Sequence, residues 1–165
     1  MMIKPDYYVE TIYDINFSLL HELDINTLLL DIDNTLVPFK TTVADDDIVT
    51  WINMAKSHNF KLCLVSNAYP RRAQIISGNL GIPVIYMAKK PFKKGLIDAL
   101  ILLDSNKDQA IMIGDQILTD VIASKLAGIR SILVEPLTKS DFIMTKFYRL
   151  IEFFLKKKLE KKEMK

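Results

Sequence analysis

The 165-residue chain has a single cysteine, Cys63, inside the apolar run "KLCLVSN". One thiol excludes an intramolecular disulfide and points to an intracellular, cytoplasmic setting. No stretch reaches 18 uninterrupted apolar residues. The N-terminus carries Lys4, Pro5 and Asp6 instead of a signal-peptide pattern. Neither a membrane span nor a secretion signal is therefore expected. Internal repeats, Gly/Ser linkers and low-complexity segments are missing too, apart from a lysine-rich end. A chain of this length suits one domain, residues 1–165, and leaves little room for a second. Its 50% hydrophobic and 25% charged residues are ordinary for a globular protein, so a core can form without disulfide support.

An excess of one charge is lacking as well, the net being +2. It is unevenly spread. Residues 155–165, "LKKKLEKKEMK", hold six lysines and two glutamates, which makes +4 and leaves −2 for the other 154 residues. A mildly acidic body with a basic tail argues against nucleic-acid binding and leaves an anionic partner open for the tail.

What is present is an alternation of short apolar runs with amphipathic stretches. That order predicts repeated βα units and a mainly parallel sheet, a Rossmann-like three-layer α/β/α sandwich. Strands are expected at residues 27–31, 61–66, 83–87, 109–113 and 130–134. Between the first two, Ile48, Trp51, Ile52 and Ala55 recur at helical spacing behind Asp45, Asp46 and Asp47, which read as a cap and first turn. Further helices are expected from Pro70 to about Leu80, from near Pro91, and over "TDVIASKLAG" up to Gly128. Residues 1–25 read as a helical extension, with one or two short helices in 5–23. Residues 141–165 read as a basic amphipathic helix, with Ile143, Phe147, Leu150, Ile151 and Phe154 on its apolar stripe.

Four of the five expected strands end in, or are followed by, chemically related polar groups. "LLLDIDNTLVPF" ends an apolar run on Asp31, Asp33 and Thr35; the second strand ends in Ser66 and Asn67; "GDQILTD" supplies Asp115 and Asp120; Lys89 and Lys90 follow the third strand. In an open parallel sheet such groups converge outside the carboxyl ends of the strands. Asp31, Asp33 and Asp115 cannot share a small cleft as bare anions, because repulsion would raise a pKa or push them apart. A hard divalent cation resolves this, and all-oxygen ligation favours Mg²⁺. Lysine, a serine hydroxyl and N–H groups at a helix start make a socket for a phosphate dianion. His21 and His58 lie outside every motif and read as surface or loop residues. Arg71 and Arg72 follow the serine motif, where a solvated helix face is the favoured reading and contact with substrate the other.

The ordered set "DIDNT", "SN", "KP" and "GDQILTD" resembles the haloacid dehalogenase (HAD) superfamily of phosphohydrolases. In finer detail it resembles class IIIA phosphatases of the YqeG type, which are related to the mitochondrial phosphatidylglycerophosphate phosphatases. The resemblance implies Asp31 as the nucleophile that takes the phosphoryl group, Asp33 as the acid and then base, and Lys90, alone in its "KP" context, as the charge-offsetting lysine. It implies Mg²⁺ held by Asp31, the Asp33 main-chain carbonyl and Asp115, with Asp120 orienting a metal-bound water. Thr35, Ser66 and Asn67 are expected at the substrate, and Ser66 would hold a phosphoryl oxygen. Lys89 stands where relatives often carry arginine.

Many members of that superfamily carry a cap domain after the first motif or between the second and third. Here residues 36–60 and 68–89 leave space for no such insertion. An open site suits a phosphate on something bulky, and the resemblance, the open site and the basic tail together favour phosphatidylglycerophosphate. The tail fits a reversible contact with the inner face of a membrane as well as it fits a helix docked on the core. Two other functions stay open: a phosphatase for soluble metabolites or nucleic-acid ends with an oligomer as lid, and a non-catalytic phospho-binding module.

Overall fold

A computed structural model describes residues 3–138, 151, 153–157, 159 and 164. Among residues 3–138 the strands and α-helices are β1 Tyr7–Tyr8, α1 Phe17–Glu22, β2 Thr27–Leu30, α2 Asp46–Ser57, β3 Lys61–Val65, α3 Pro70–Leu80, β4 Val84–Ile85, α4 Lys94–Leu102, β5 Ala110–Gly114, α5 Ile122–Ala127 and β6 Arg130–Leu133. All pairings are parallel, in the order β1-β6-β5-β2-β3-β4. The chain moves outward from β2 through β3 to β4, then crosses back to lay β5 on the other side of β2. That reversal opens a crevice at the carboxyl ends of the central strands.

Strand alternation makes the three layers. Leu28, Leu30, Leu62, Leu64, Ile111 and Ile113 pack toward α2 and α3, while Leu29, Cys63, Val65 and Met112 pack toward α4 and α5. A strand covered on both faces needs side chains apolar at every position, and all four residues of β2 are buried. Cys63 is fully buried, and burial pushes its thiol up to about 12.

Helix ends follow local chemistry. The Asp45 carboxylate accepts from Ile48 N at 2.9 Å, capping α2, while Asp46 and Asp47 fill its first turn. Pro70 opens α3, and Gly81 and Gly128 close α3 and α5 at positive φ. Two helix starts differ from expectation. Helix α4 begins at Lys94, after the turn of Pro91 and Phe92, and α5 is preceded by a wide π-helical turn over Ile117–Val121.

The N-terminal segment is not wholly helical. Tyr7 and Tyr8 add an edge strand to β6, fixed by Asp6 N to Ser131 O and Val9 N to Leu133 O, both 3.0 Å. Two residues are too short for a period to be read, so only the tertiary pairing reveals this strand. A single 3₁₀ turn at Ile12–Asp14 and then α1 follow. At the other end, residues 151 and 153–156 are helical, and Leu155 and Leu159 pack on Tyr8, Ile117, Val121 and Leu133, whereas Phe153 and Phe154 are exposed. Ile143, Phe147 and Leu150 lie outside the described residues. No helix among the described residues is long and apolar enough to cross a membrane. The segments between β2 and β3 and between β3 and β4 contain α2 and α3 with their loops, and no cap is inserted there.

Candidate active site

The register of β2 on β5 pairs Leu30 with Ile113, and Asp31 N donates to Ile113 O at 2.9 Å. Asp31 and Asp115 therefore leave neighbouring strands side by side. Asp120 returns to the same point because the turn of Ile117–Val121 folds back on β5, with Asp120 Oδ2 accepting from Gln116 N at 3.1 Å. A glycine is needed beneath it: a Cβ on Gly114 would lie 2.2 Å from Asp120 Oδ2. Carboxylate oxygens of Asp31, Asp115 and Asp120 all lie within 4.8 Å of one another, and all three residues are buried.

Lys90 enters this cluster from the loop after β4. Its Nζ donates to Asp31 Oδ1 at 2.7 Å and to Asp120 Oδ1 at 2.6 Å, with only 2% of the side chain exposed. Asn67 holds that loop with both ends of its amide: Oδ1 accepts from Lys90 N at 2.8 Å, and Nδ2 donates to Lys90 O at 3.0 Å. Asn67, expected at the substrate, thus has the lysine backbone as its partner. Thr35 differs likewise, being buried with its hydroxyl donating to Asp115 Oδ1 at 3.2 Å. Ser66 is fully buried at the end of β3, where its Oγ accepts from Ala68 N at 3.1 Å.

The electrostatics of the cluster are unbalanced. Burial alone would push the Lys90 ammonium down, but Asp120 and Asp31 more than reverse this and hold it above the ordinary lysine value. Asp120 is raised as well, which for a carboxyl favours the neutral form: burial raises it, Lys90 opposes this, and the Asp31 charge raises it again. The partners disagree because one ammonium cannot neutralise two buried carboxylates. Such a surplus of buried negative charge is costly. A divalent cation removes it, and three carboxylates with no nitrogen or sulfur donor make a hard-oxygen set. The residues fit a metal.

Asp33 has a different partner from Asp31. Strand β2 ends at Leu30, so strand alternation no longer governs the two acids, and Asp33 meets Arg72 in the first turn of α3. Arg72 Nη1 lies 2.6 Å from Asp33 Oδ1, and Arg72 Nε is anchored on Thr41 O at 2.9 Å. Apart from that ion pair, Asp33 Oδ1 and Arg72 Nη2 are buried without a hydrogen-bond partner among the described residues. Burial and the Asp31 charge raise the Asp33 carboxyl above the usual carboxylate range, against the pull of Arg72 and Lys90. Sequence reasoning favoured a solvated face for Arg72. Its position three residues into the helix after the serine motif was the available signal. Arg71, by contrast, is exposed, as are His21 and His58.

The polar residues of four separated segments thus converge at one end of the sheet, and the chain is similar to several known proteins. The profile of the family described as "Mitochondrial PGP phosphatase" matches residues 1–138. The "Probable phosphatase YqeG" of Bacillus subtilis (strain 168) is 37% identical over 148 residues, covering 90% of this chain and 86% of the relative. Among solved structures, the cobalt-bound deoxy-D-mannose-octulosonate 8-phosphate phosphatase of Haemophilus influenzae has a TM-score of 0.55 at 14% identity, covering 70% of each chain. CbbY of Rhodobacter sphaeroides, solved with phosphate, also has a TM-score of 0.55, at 16% identity over 72% of this chain and 90% of that one. At those identities the structures speak for the fold, and the sequence matches carry the family. The chain belongs to the mitochondrial PGP phosphatase family.

Proposed function

We propose that this phosphatase is a Mg²⁺-dependent phosphomonoesterase that works through an aspartyl phosphate on Asp31 and dephosphorylates phosphatidylglycerophosphate. The observation that carries the reading is the buried trio of Asp31, Asp115 and Asp120, closed by Lys90. Asp31, Asp115 and the Asp33 main-chain carbonyl would hold the ion, with Asp120 beside it. When bound, Mg²⁺ supplies positive charge that lowers repulsion between a carboxylate and an anionic ester.

An Asp31 carboxylate oxygen attacks phosphorus, and the P–O bond to the leaving alkoxide breaks. Asp33 gives that alkoxide its proton, a role suited to a carboxyl whose proton affinity is raised by burial. It then takes a proton from the water that attacks the phosphorus, which releases inorganic phosphate and restores the Asp31 carboxylate. Lys90 steadies Asp31 and offsets charge on the phosphoryl group, while Asn67 positions Lys90 and Thr35 orients Asp115. Ser66 holds a phosphoryl oxygen. Arg72 positions Asp33.

The lipid substrate is supported by the family's description and by the absence of a cap over the crevice. The test is phosphate release from phosphatidylglycerophosphate in mixed micelles, beside a soluble aryl phosphate and a panel of sugar phosphates. Turnover of the lipid that depends on added Mg²⁺ and vanishes in Asp31→Asn is the expected result. Turnover of soluble esters without the lipid overturns the substrate; unchanged release by Asp31→Asn overturns the mechanism.

A further inference from the structure

From Ile48 to Ile97 the sequence has no acidic residue and eight lysines and arginines. The whole chain is +2, so the other 115 residues carry −6. Five of the eight cations are engaged. Lys90 is held by Asp31 and Asp120, Arg72 by Asp33 and Lys94 by Asp98. Lys56 and Lys61 donate to main-chain carbonyls. The remaining three, Arg71, Lys89 and Lys93, are exposed and have no ion pair among the described residues.

All three sit on the two chain segments that follow β3 and β4, at the rim of the candidate active site. Those segments are tied to each other: Ala88 N donates to Ser66 O at 2.9 Å, Met87 N to Ala68 O at 3.0 Å, and Asn67 holds Lys90. Between the cations the same segments expose large apolar side chains, Tyr69 at 77%, Phe92 at 68% and Met87 at 46%. Single exposed hydrophobics need no explanation, but aromatic and thioether tips grouped with cations on one rim do. Apolar tips flanked by lysine and arginine match the boundary of an anionic leaflet, where the tips enter the headgroup layer and the cations meet lipid phosphates.

We propose that residues 66–71 and 86–93 form a docking face for an anionic phospholipid bilayer. Tyr69, Met87 and Phe92 are its inserting groups, and Arg71, Lys89 and Lys93 its lipid-phosphate contacts. The inference rests on the lipid-phosphate reading above and adds to it where the membrane sits. In that pose the uncapped crevice faces the headgroups, so a lipid phosphomonoester reaches Asp31 while its acyl chains stay in the bilayer. This face is distinct from Lys156, which lies over the Tyr8 ring and near Glu135, at the opposite edge of the sheet from β4.

The experiment is flotation of the full chain with vesicles of equal parts phosphatidylglycerol and phosphatidylcholine, and with phosphatidylcholine alone. Wild type is compared with Phe92→Ser/Lys93→Gln and with Tyr69→Ser. Wild type is expected on the anionic vesicles, less so as salt rises. One lysine near an anionic surface contributes about five-fold in partition. Losing Lys93 and the Phe92 ring together is expected to lower the partition coefficient about ten-fold or more. Soluble aryl phosphate turnover should be unchanged in both variants, which also reports their folding. Absence of wild-type binding, equal binding to neutral vesicles, or variants that float like wild type would each overturn the proposal; the last assigns binding to the C-terminal lysines. Variants that change only the mass on a sizing column reject it in favour of a contact between copies. The vesicles contain no phosphomonoester, so failure to dock is read separately from failure as a phosphatase.

Discussion

Replacing Arg72 by glutamine tests how Asp33, the carboxyl proposed as acid and base, is held. Arg72 lies 2.6 Å from Asp33, and its own Nε is fixed by Thr41 O. Removing it frees a carboxyl that is 22% exposed and leaves the Asp31 charge unopposed from that side. General acid catalysis contributes typically about 10²–10⁴-fold, and a misplacement of about 1 Å costs on the order of 10²-fold. Hydrolysis of an alkyl phosphate, whose leaving alkoxide must be protonated, should therefore fall on the order of 10²-fold in kcat. A nitrophenyl phosphate leaves as a stable phenolate without that proton, so its kcat should change little. Arg72→Lys keeps the charge but not the planar fork anchored on Thr41, and is expected to restore only part of the alkyl rate. The assay is kcat and KM for both esters in each variant. Equal losses on the two esters, or a loss confined to KM, would refute the positioning of Asp33 by Arg72.

Two further outcomes follow from the packing and charge of the site. Gly114→Ala places a methyl 2.2 Å from Asp120 Oδ2, so it should cost roughly 1–3 kcal/mol of stability by thermal melting and weaken Mg²⁺ binding in a metal titration; a variant with unchanged metal affinity would show that Asp120 takes no part. In metal-free protein, Asp120 has a folded-state pKa above its unfolded one, so the native state binds more protons and stability falls as pH rises from the ordinary carboxylate range toward neutrality. Asp120→Asn should accordingly gain on wild type across that window in melts with chelator, and added Mg²⁺ should flatten the wild-type slope; a pH-independent difference would contradict the buried surplus of negative charge.

The layer order and the end of the sheet where the polar residues gather were legible in the sequence. The run Thr27–Leu30 is apolar enough to be covered on both faces, and it stops on Asp31; the same logic places Ser66 after β3 and Asp115 after β5. Helix α3, expected from Pro70 to about Leu80, was legible because Pro70 and Gly81 act locally. The edge strand Tyr7–Tyr8 was not, since its pairing with β6 joins residues more than a hundred positions apart and leaves no local period. Asn67 and Thr35 were legible as polar residues at the right end, but their partners, Lys90 and Asp115, were not.

By itself the sequence determined which residue types stand at the strand ends and in what order, because strand and helix periodicities and end signals act over a few neighbouring residues. Only the tertiary structure decided that Arg72 belongs to Asp33 and that Gly114 makes room for Asp120. Only it gathered Tyr69, Phe92 and three cations without an ion pair among the described residues onto one rim. Ion pairs, close packing and surface patches form between segments joined through the sheet, and their strength depends on distances that no local pattern encodes.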